Sequence, residues 1–359
     1  NSSDYSSVTS VKSFTYSEKI VRLFNHAANN HVFVQTASGA LFIQPENEQA
    51  QPFTENFDHY CPQFAVCNMG GEEVAVGLTS RGVLYVNGNV ASSNCSSFAL
   101  HDQFLLFTTF AHVLRSISLT LPVHEFIEVA SAGPTSKYDE SFREIERGAT
   151  LTCAVARDFK VVLQMPRGNI EGIYPHALVL AHIRALLNER SYKEAVSVCR
   201  KYKIDMNLIV DHNPAELLAH AEEFVTKVAD PEYINLFLSS LANDDITKSR
   251  YNGYFNSEER QRLAANKERL DTIAKKINTV CVTMRAALEK VDAKKYISSM
   301  LTTFARADPP QLEEALTLIR NLRLEEVSSS GSASGASADS ALTYLRSEER
   351  RVGKECRSR

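Results

Sequence analysis

The pattern that most limits what this chain can become is an alternation of apolar and polar residues that repeats through its first half and then stops. Four stretches, residues 31–44, 73–88, 103–119 and 149–165, follow one plan: an alternating run, a short turn, then a second alternating run. Alternation puts successive side chains on opposite faces of a strand, and the turns at Ser38-Gly39, Arg81-Gly82 and Arg157-Asp158 carry hairpin chemistry. The turn centres are unevenly spaced but average about 40 residues, the length of a four-stranded propeller blade. Less regular stretches, such as 64–67 and 124–129, are expected to supply the other strands. A β-sandwich needs similar strands without a fixed period and stays open as the rival fold. On the propeller reading these are the last blades, with earlier ones expected upstream of residue 1.

After Met165 the period changes. From residue 174 to 323 apolar residues recur every three to four positions, as on an amphipathic helix. Helices are expected over 176–189, 191–203, 214–228, 231–241, 257–291, 293–306 and 309–324. Asn213, Asp230 and Asp308 each precede a proline, a cap followed by the residue best suited to the first helical position, and Ser191 with Glu194 reads as a capping box. Short connections imply antiparallel neighbours, the construction of a TPR-like α-solenoid. Within 257–291, Leu263, Leu270, Ile277, Met284 and Val291 recur at sevens, with Ile273, Val280 and Ala287 between them. A coiled-coil seam and a solenoid helix both fit that stripe.

The expected organisation is therefore β + α and multidomain, the carboxyl-terminal part of a WD-type β-propeller followed by an α-solenoid. Its divisions are 1–165 (incomplete propeller), 166–174 (junction) and 175–326 (solenoid). A Ser/Gly-rich run at 327–340 is read as a disordered loop, and 341–345 as the start of another helix. Residues 346–359 hold six Lys/Arg against three Glu. They resemble translated sequencing-adapter sequence and are read as foreign to the fold.

Composition excludes some functions. A net charge of -4 gives no overall attraction to nucleic acid or anionic membrane, and no run reaches the ~20 apolar residues of a membrane helix. Seven cysteines, odd in number and without a C-x-x-C pair, argue against a disulfide framework or zinc site. Reduced thiols in a cytosolic or nuclear protein are expected. No phosphate-binding glycine loop, zinc-protease motif or nucleophile elbow is present, so no catalytic, cofactor or metal residue is assigned. Asp211-His212 is the closest acid–imidazole pair, and its position before a helix cap favours a local turn role. Arg184, Arg190, Arg200, Lys201 and Lys203, with Tyr202 interleaved, form a basic cluster that could contact RNA or a partner. Cations at a helix carboxyl end also suit the macrodipole. Gln164, Met165, Pro166, Arg167, Gly168 and Asn169 read as a structural junction, with Gly168 permitting a turn and Arg167 clamping the domains.

LQMPRGNIE at 163–171 and DHNP at 211–214, in that order, resemble the largest-subunit family of Elongator-type tRNA-modification complexes. The likeness continues through YINLF at 233–237, 245–247, 276–286, 296–301 and 312–322, and covers most of 155–324. His176 stands where the family usually has arginine, and Val282-Thr283 replaces a more typical Asp-Ala. The resemblance implies a non-catalytic scaffold supporting carboxymethyl-type modification of the tRNA wobble uridine, and so translation. It implies other Elongator subunits as partners, including a catalytic radical-SAM subunit and a WD-repeat second subunit. It further implies homodimerisation through a region outside this sequence, tRNA bound by the assembled complex, and no membrane. Acetyl-CoA, S-adenosylmethionine and an iron–sulfur cluster would serve in another subunit, with no cofactor in this chain. Coat and intraflagellar-transport subunits also join propellers to solenoids and form the competing expectation.

Overall fold

The structure is a computed structural model that describes residues 13–26, 31–45, 49–53, 57–134, 139–156, 158–251, 253–330 and 336–357. The chain divides into two compact units, Asn1–Leu178 and Val179–Arg359.

In the first unit each expected hairpin lies in a different antiparallel sheet. β1 (Ile20–His26), β2 (His31–Thr36), β3 (Leu41–Gln44) and β4 (Gln51–Pro52) form the first, in sequence order. β5 (Gln63–Met69), β6 (Glu72–Leu78), β7 (Leu84–Val86) and β8 (Asn89–Ser92) form the second. β9 (Cys95–Leu100), β10 (Phe104–Thr109), β11 (Val113–Ser118) and β12 (Phe142–Glu144) form the third. β13 (Thr150–Ala154), β14 (Val161–Gln164) and β15 (Ile170–Ile173) form a three-stranded fourth. Of the expected turn at 157–158, Arg157 lies outside the described residues.

The second sheet separates the propeller from the sandwich. Phe64, Val66 and Ala75 pack with Phe33, Leu41, Phe53 and Phe57 on one side. Ala65, Cys67, Met69, Val74 and Val76 pack with Leu105, Phe107 and Ile117 on the other. A sandwich sheet keeps one face for solvent, whereas a blade stacked between blades buries both. At about 1.5–3 kcal/mol per fully buried large apolar side chain, this stacking is the main source of stability here. Its tight turns need glycine at defined points. Gly82 has φ +82°, and a Cβ there would lie 2.8 Å from the Cys95 carbonyl oxygen.

The expected strand at 64–67 is part of β5, but the one at 124–129 is a helix, α1 (Val123–Ser131). Pro122 precedes it, and Val123, Phe126, Ile127 and Ala130 recur at helical spacing toward the core. Arg115, buried on β11, donates to the carbonyls of Val129 (2.8 Å), Ala130 (3.2 Å) and Ala132 (3.0 Å). Its guanidinium lies 3.6 Å from the Phe142 ring centre, and burial pushes it down to about 10. One cation thus closes the carboxyl end of α1 and fixes it beside β12.

The junction also differs from expectation. Residues 165–169 are the loop of the β14–β15 hairpin, with Gln164 the last residue of β14, and the loop is closed by Met165 N–H to the Asn169 carbonyl at 2.8 Å. Residues 170–173, read as junction, return as β15. The chain leaves the sheets at Tyr174-Pro175. There Arg143 donates to the Tyr174 carbonyl (3.1 Å), and His176 Nδ1 lies 2.9 Å from Glu140. A strand of Ile-Glu-Gly-Ile, mostly exposed, shows too little alternation to be seen in sequence.

The rest is helical: α2 (His176–Asn188), α3 (Tyr192–Tyr202), α4 (Asn207–His212), α5 (Pro214–Ala219), α6 (Ala221–Val228) and α7 (Pro231–Ser240). Then follow α8 (Ile246–Ser249), α9 (Ser257–Ala265), α10 (Lys267–Ala274), α11 (Lys276–Asp292), α12 (Ile297–Arg306), α13 (Leu312–Ser330) and α14 (Ala336–Arg357). Two expected helices are broken. The 214–228 helix divides at His220, and 257–291 divides into α9, α10 and α11. Asn266 causes one break by accepting from Arg269 N–H at 3.0 Å, as an N-cap does. The sevenfold stripe is thus not one seam. The face of α11 that is buried carries Val280, Met284, Ala287 and Leu288, while Val291 is exposed.

The run at 327–340 is helical wherever it is described, in α13 to Ser330 and in α14 from Ala336; 331–335 lie outside the described residues. Small residues suffice there because Ala338, Ala341 and Leu345 pack closely on Leu301, Ala305, Ala315 and Ile319. Residues 341–345 are helical as expected, but α14 starts earlier and passes through Arg346 without a break.

Candidate functional site

Nearly every polar residue of the segment Asp205-Met-Asn-Leu-Ile-Val-Asp-His-Asn-Pro214 has a packing task. The Asp205 carboxylate accepts from Asn207 N–H at 3.0 Å and starts α4. Asn207, itself buried, donates to the Ser240 carbonyl (2.7 Å) and accepts from Ala242 N–H (2.9 Å), stitching α4 to the end of α7. Asn213 accepts from Glu216 N–H at 3.3 Å, with Pro214 first in α5.

Asp211 and His212 point to different neighbours. Asp211 is completely buried, and its oxygens lie 2.8 and 3.0 Å from Lys276 Nζ, which is equally buried. It also accepts from Ile246 N–H at 3.0 Å, and Lys276 donates to the Asp244 carbonyl at 2.6 Å. Arg269 donates to the Asp211 carbonyl (2.6 Å) and lies 3.4 Å from Asp245. Burial, the larger effect, holds the Asp211 carboxyl up at about 6 against the pull of Lys276. His212 sits between Asn188 Oδ1 (3.0 Å) and the Tyr254 hydroxyl (2.9 Å), stacked on Phe255. Burial first, then the Arg184 and Arg269 cations, push its imidazole down to about 4. The local turn role expected for this pair is therefore too small: Asp211 and His212 tie α2, α4, α8, α11 and the 254–255 segment into one hub.

The sequence did not mark the hub's cations. Lys276 falls on the apolar stripe of 273, 280, 284 and 287, three residues after the first and four before the second. A cation on a buried stripe requires a buried acid, and that was the legible signal.

The basic cluster separates into two groups. Arg184 pairs with Glu259 and donates to the Tyr254 carbonyl at 3.1 Å. Arg190 pairs with Glu216 at 2.6 Å and lies 3.8 Å from Glu223. Both serve the fold. Arg200, Lys201 and Lys203, at the carboxyl end of α3, are exposed. The Arg200 guanidinium lies 5.0 Å from the Tyr233 ring centre, and the Lys201 ammonium 5.0 Å from that of Tyr202.

Arg167, expected to clamp two domains, is exposed in the β14–β15 loop. Gly168 has φ +87°, as its turn requires. Asn169 donates to Glu171 at 3.0 Å, Gln164 pairs with Ile170, Met165 is buried and Pro166 is exposed. Among the caps, Asp230 accepts from Glu232 N–H at 2.9 Å. Ser191 precedes α3 with ψ 61° and makes no side-chain cap, so the capping box with Glu194 does not form. Extended backbone is what aims a capping oxygen, and Ser191 is not extended. Asp308 does not start a helix either, because Pro309-Pro310 keeps the residues before each proline out of helical conformation and α13 begins at Leu312. Asn256 with Glu259 forms the capping box that sequence reading missed, although N-x-x-E was legible.

Burial pushes the thiols of Cys61, Cys67, Cys95 and Cys199 up to about 12, the opposite of a nucleophile's environment. Two clefts, of ≈ 620 Å³ beside Arg285 and Pro309 and ≈ 640 Å³ beside Gly70 and His124, contain neither Asp211 nor His212. Among the described residues, no three His, Cys, Asp or Glu side chains gather as a metal-binding group.

Comparison with known proteins matches both halves. Residues 1–152 match the family model described as "ELP1 N-terminal second beta-propeller", and residues 176–347 match "ELP1 alpha-solenoid". The "Putative elongator complex protein 1" of Xenopus laevis is 35% identical over 340 residues, covering 92% of this chain and 28% of the relative. "Elongator complex protein 1" of Mus musculus is 36% identical over 287 residues, 80% of this chain and 21% of the relative. That of Saccharomyces cerevisiae is 30% identical over 356 residues, 91% and 25%. The chain thus spans between a fifth and a third of the length of these relatives.

Proposed function

Since the chain belongs to the Elongator complex protein 1 family, we propose that it acts as a non-catalytic scaffold of an Elongator complex, supporting modification of the tRNA wobble uridine. The observation that carries this reading is the consecutive match of two domains of one family, in the same order as the sheets and helices of the structure. Stacked sheets and stacked helices present long rigid surfaces, which suits holding other subunits in fixed relation. The chemistry of the titratable groups supports the same reading. Asp211 and His212, displaced from their ordinary values, are tied into packing rather than aimed into a cleft. The reaction, with acetyl-CoA, S-adenosylmethionine and an iron–sulfur cluster, then belongs to a partner chain.

Purifying the tagged full-length protein from its source tests this. Recovery of a radical-SAM subunit and a second WD-repeat protein is expected, and loss of the gene should remove carboxymethyl-type groups from wobble uridines, read by nucleoside mass spectrometry. Recovery of membrane-coat subunits with unchanged tRNA nucleosides overturns it.

A further inference from the structure

We propose that the carboxyl end of α3 and the start of α7 form an RNA-contacting surface, with Arg200, Lys201 and Lys203 meeting phosphates and Tyr202 and Tyr233 meeting an unstacked base. The two inner arginines of the basic cluster are spent on Glu259, Glu216 and Glu223, and Arg200, Lys201 and Lys203 are exposed within a single turn. Among the described residues, no carboxylate lies within ion-pair distance of Arg200 or Lys203. Capping does not occupy Lys203: its backbone N–H, with φ +57°, closes α3 on the Arg200 carbonyl, and the ammonium is not needed for it.

Two cations here lie over phenol rings, Arg200 over Tyr233 and Lys201 over Tyr202, each at 5.0 Å from the ring centre. Both tyrosines are half-buried and so remain reachable. An acidic protein segment would satisfy the charges but has no use for the rings. Single-stranded RNA uses both, phosphate on the cations and bases on aromatic and guanidinium planes. The surface goes beyond the scaffold reading, and complex recovery is scored separately so that one can fail without the other.

The full-length subunit, purified with its partners, is titrated with fluorescein-labelled single-stranded RNA by anisotropy between about 50 and 200 mM salt. The triple variant Arg200→Glu, Lys201→Glu, Lys203→Glu is expected to recover its partners normally and to bind RNA at least tenfold more weakly at low salt. Its log–log salt slope should fall by about 2, at ~0.7 for each phosphate that the three cations no longer neutralise. In the unsubstituted protein, RNA carrying 4-thiouridine should crosslink to Tyr202 or Tyr233, mapped by peptide mass spectrometry, and Tyr233→Ala should reduce that crosslink with every charge kept. Unchanged affinity and slope in the triple variant overturn the proposal, as do crosslinks confined to other elements. Polyglutamate competing as well as RNA also overturns it and marks a surface for an acidic protein. The crosslink needs no variant, so a folding defect in the triple variant leaves the proposal open to refutation.

Discussion

At the centre of the second sheet, the residues of β5 and β6 that face their neighbours are apolar on both sides, Phe64 and Val66 one way, Ala65 and Cys67 the other. At the equivalent depth in the helical unit lies a charged pair, Lys276 on Asp211, with Arg269 and Asp245 beside it. The difference teaches where each unit is fragile. A stack of sheets loses stability in proportion to the apolar surface removed, and neighbouring side chains can partly close a gap. A buried ion pair fails abruptly, because removing one partner leaves the other uncompensated in a medium that cannot solvate it.

The sharpest way to break the comparison is Lys276→Ala. It is expected to cost about 3–5 kcal/mol in denaturant unfolding of the helical unit. Adding Asp211→Leu should recover much of that loss, whereas a double variant no better than the single would show that packing, not charge, holds the hub. Next comes Leu105→Ala, fully buried between the second and third sheets. A loss of about 3 kcal/mol is expected, without rescue by any second truncation. Near-equal rescue in both units would erase the contrast.

A smaller effect separates the units by pH. His212 is held neutral in the fold, its imidazole down at about 4. In the unfolded chain it takes a proton near pH 6.5, so the unfolded state binds more protons between about pH 6.5 and 4 and stability falls as pH drops through that window. For such a displacement the loss is roughly 2 kcal/mol by pH 5 and about 3 kcal/mol by pH 4. Asp211, held up by burial, acts with the opposite sign over an overlapping range. The test is therefore the difference between the parent chain and His212→Gln from pH 7 to pH 4, where only the parent should lose the imidazole's share. Equal slopes would remove His212 from the account. Smallest is the pair of caps: Asn256→Ala should cost about 1 kcal/mol and Ser191→Ala close to nothing, a ranking opposite to the one read from sequence.

How much was legible depended on whether a signal was local. The four hairpins were, since alternation in a single stretch reports which face is buried whatever lies opposite. So were Asn213 and Asp230 as caps, each next to a proline. The α1 insertion was missed because Val123, Phe126, Ile127 and Ala130 make too short a run to outweigh the strands around it. The division of 257–291 was missed because Asn266, one polar residue among many, ends a helix only through the bond it makes to Arg269. The candidate site was the least legible part. Five clustered cations look alike in sequence, and only placement spends Arg184 and Arg190 on glutamates while leaving Arg200 and Lys203 to solvent.

By itself, then, the sequence determined a chain of stacked β units followed by helices, and the family to which they belong, because both rest on short-range order: period, turn chemistry and a contiguous motif. Tertiary structure alone decided that LQMPRGN closes a hairpin rather than joining two domains. It alone decided that Asp211 meets Lys276, 65 residues away. Such pairings depend on which elements are brought together, and burial then turns an ordinary lysine and aspartate into the centre of a unit.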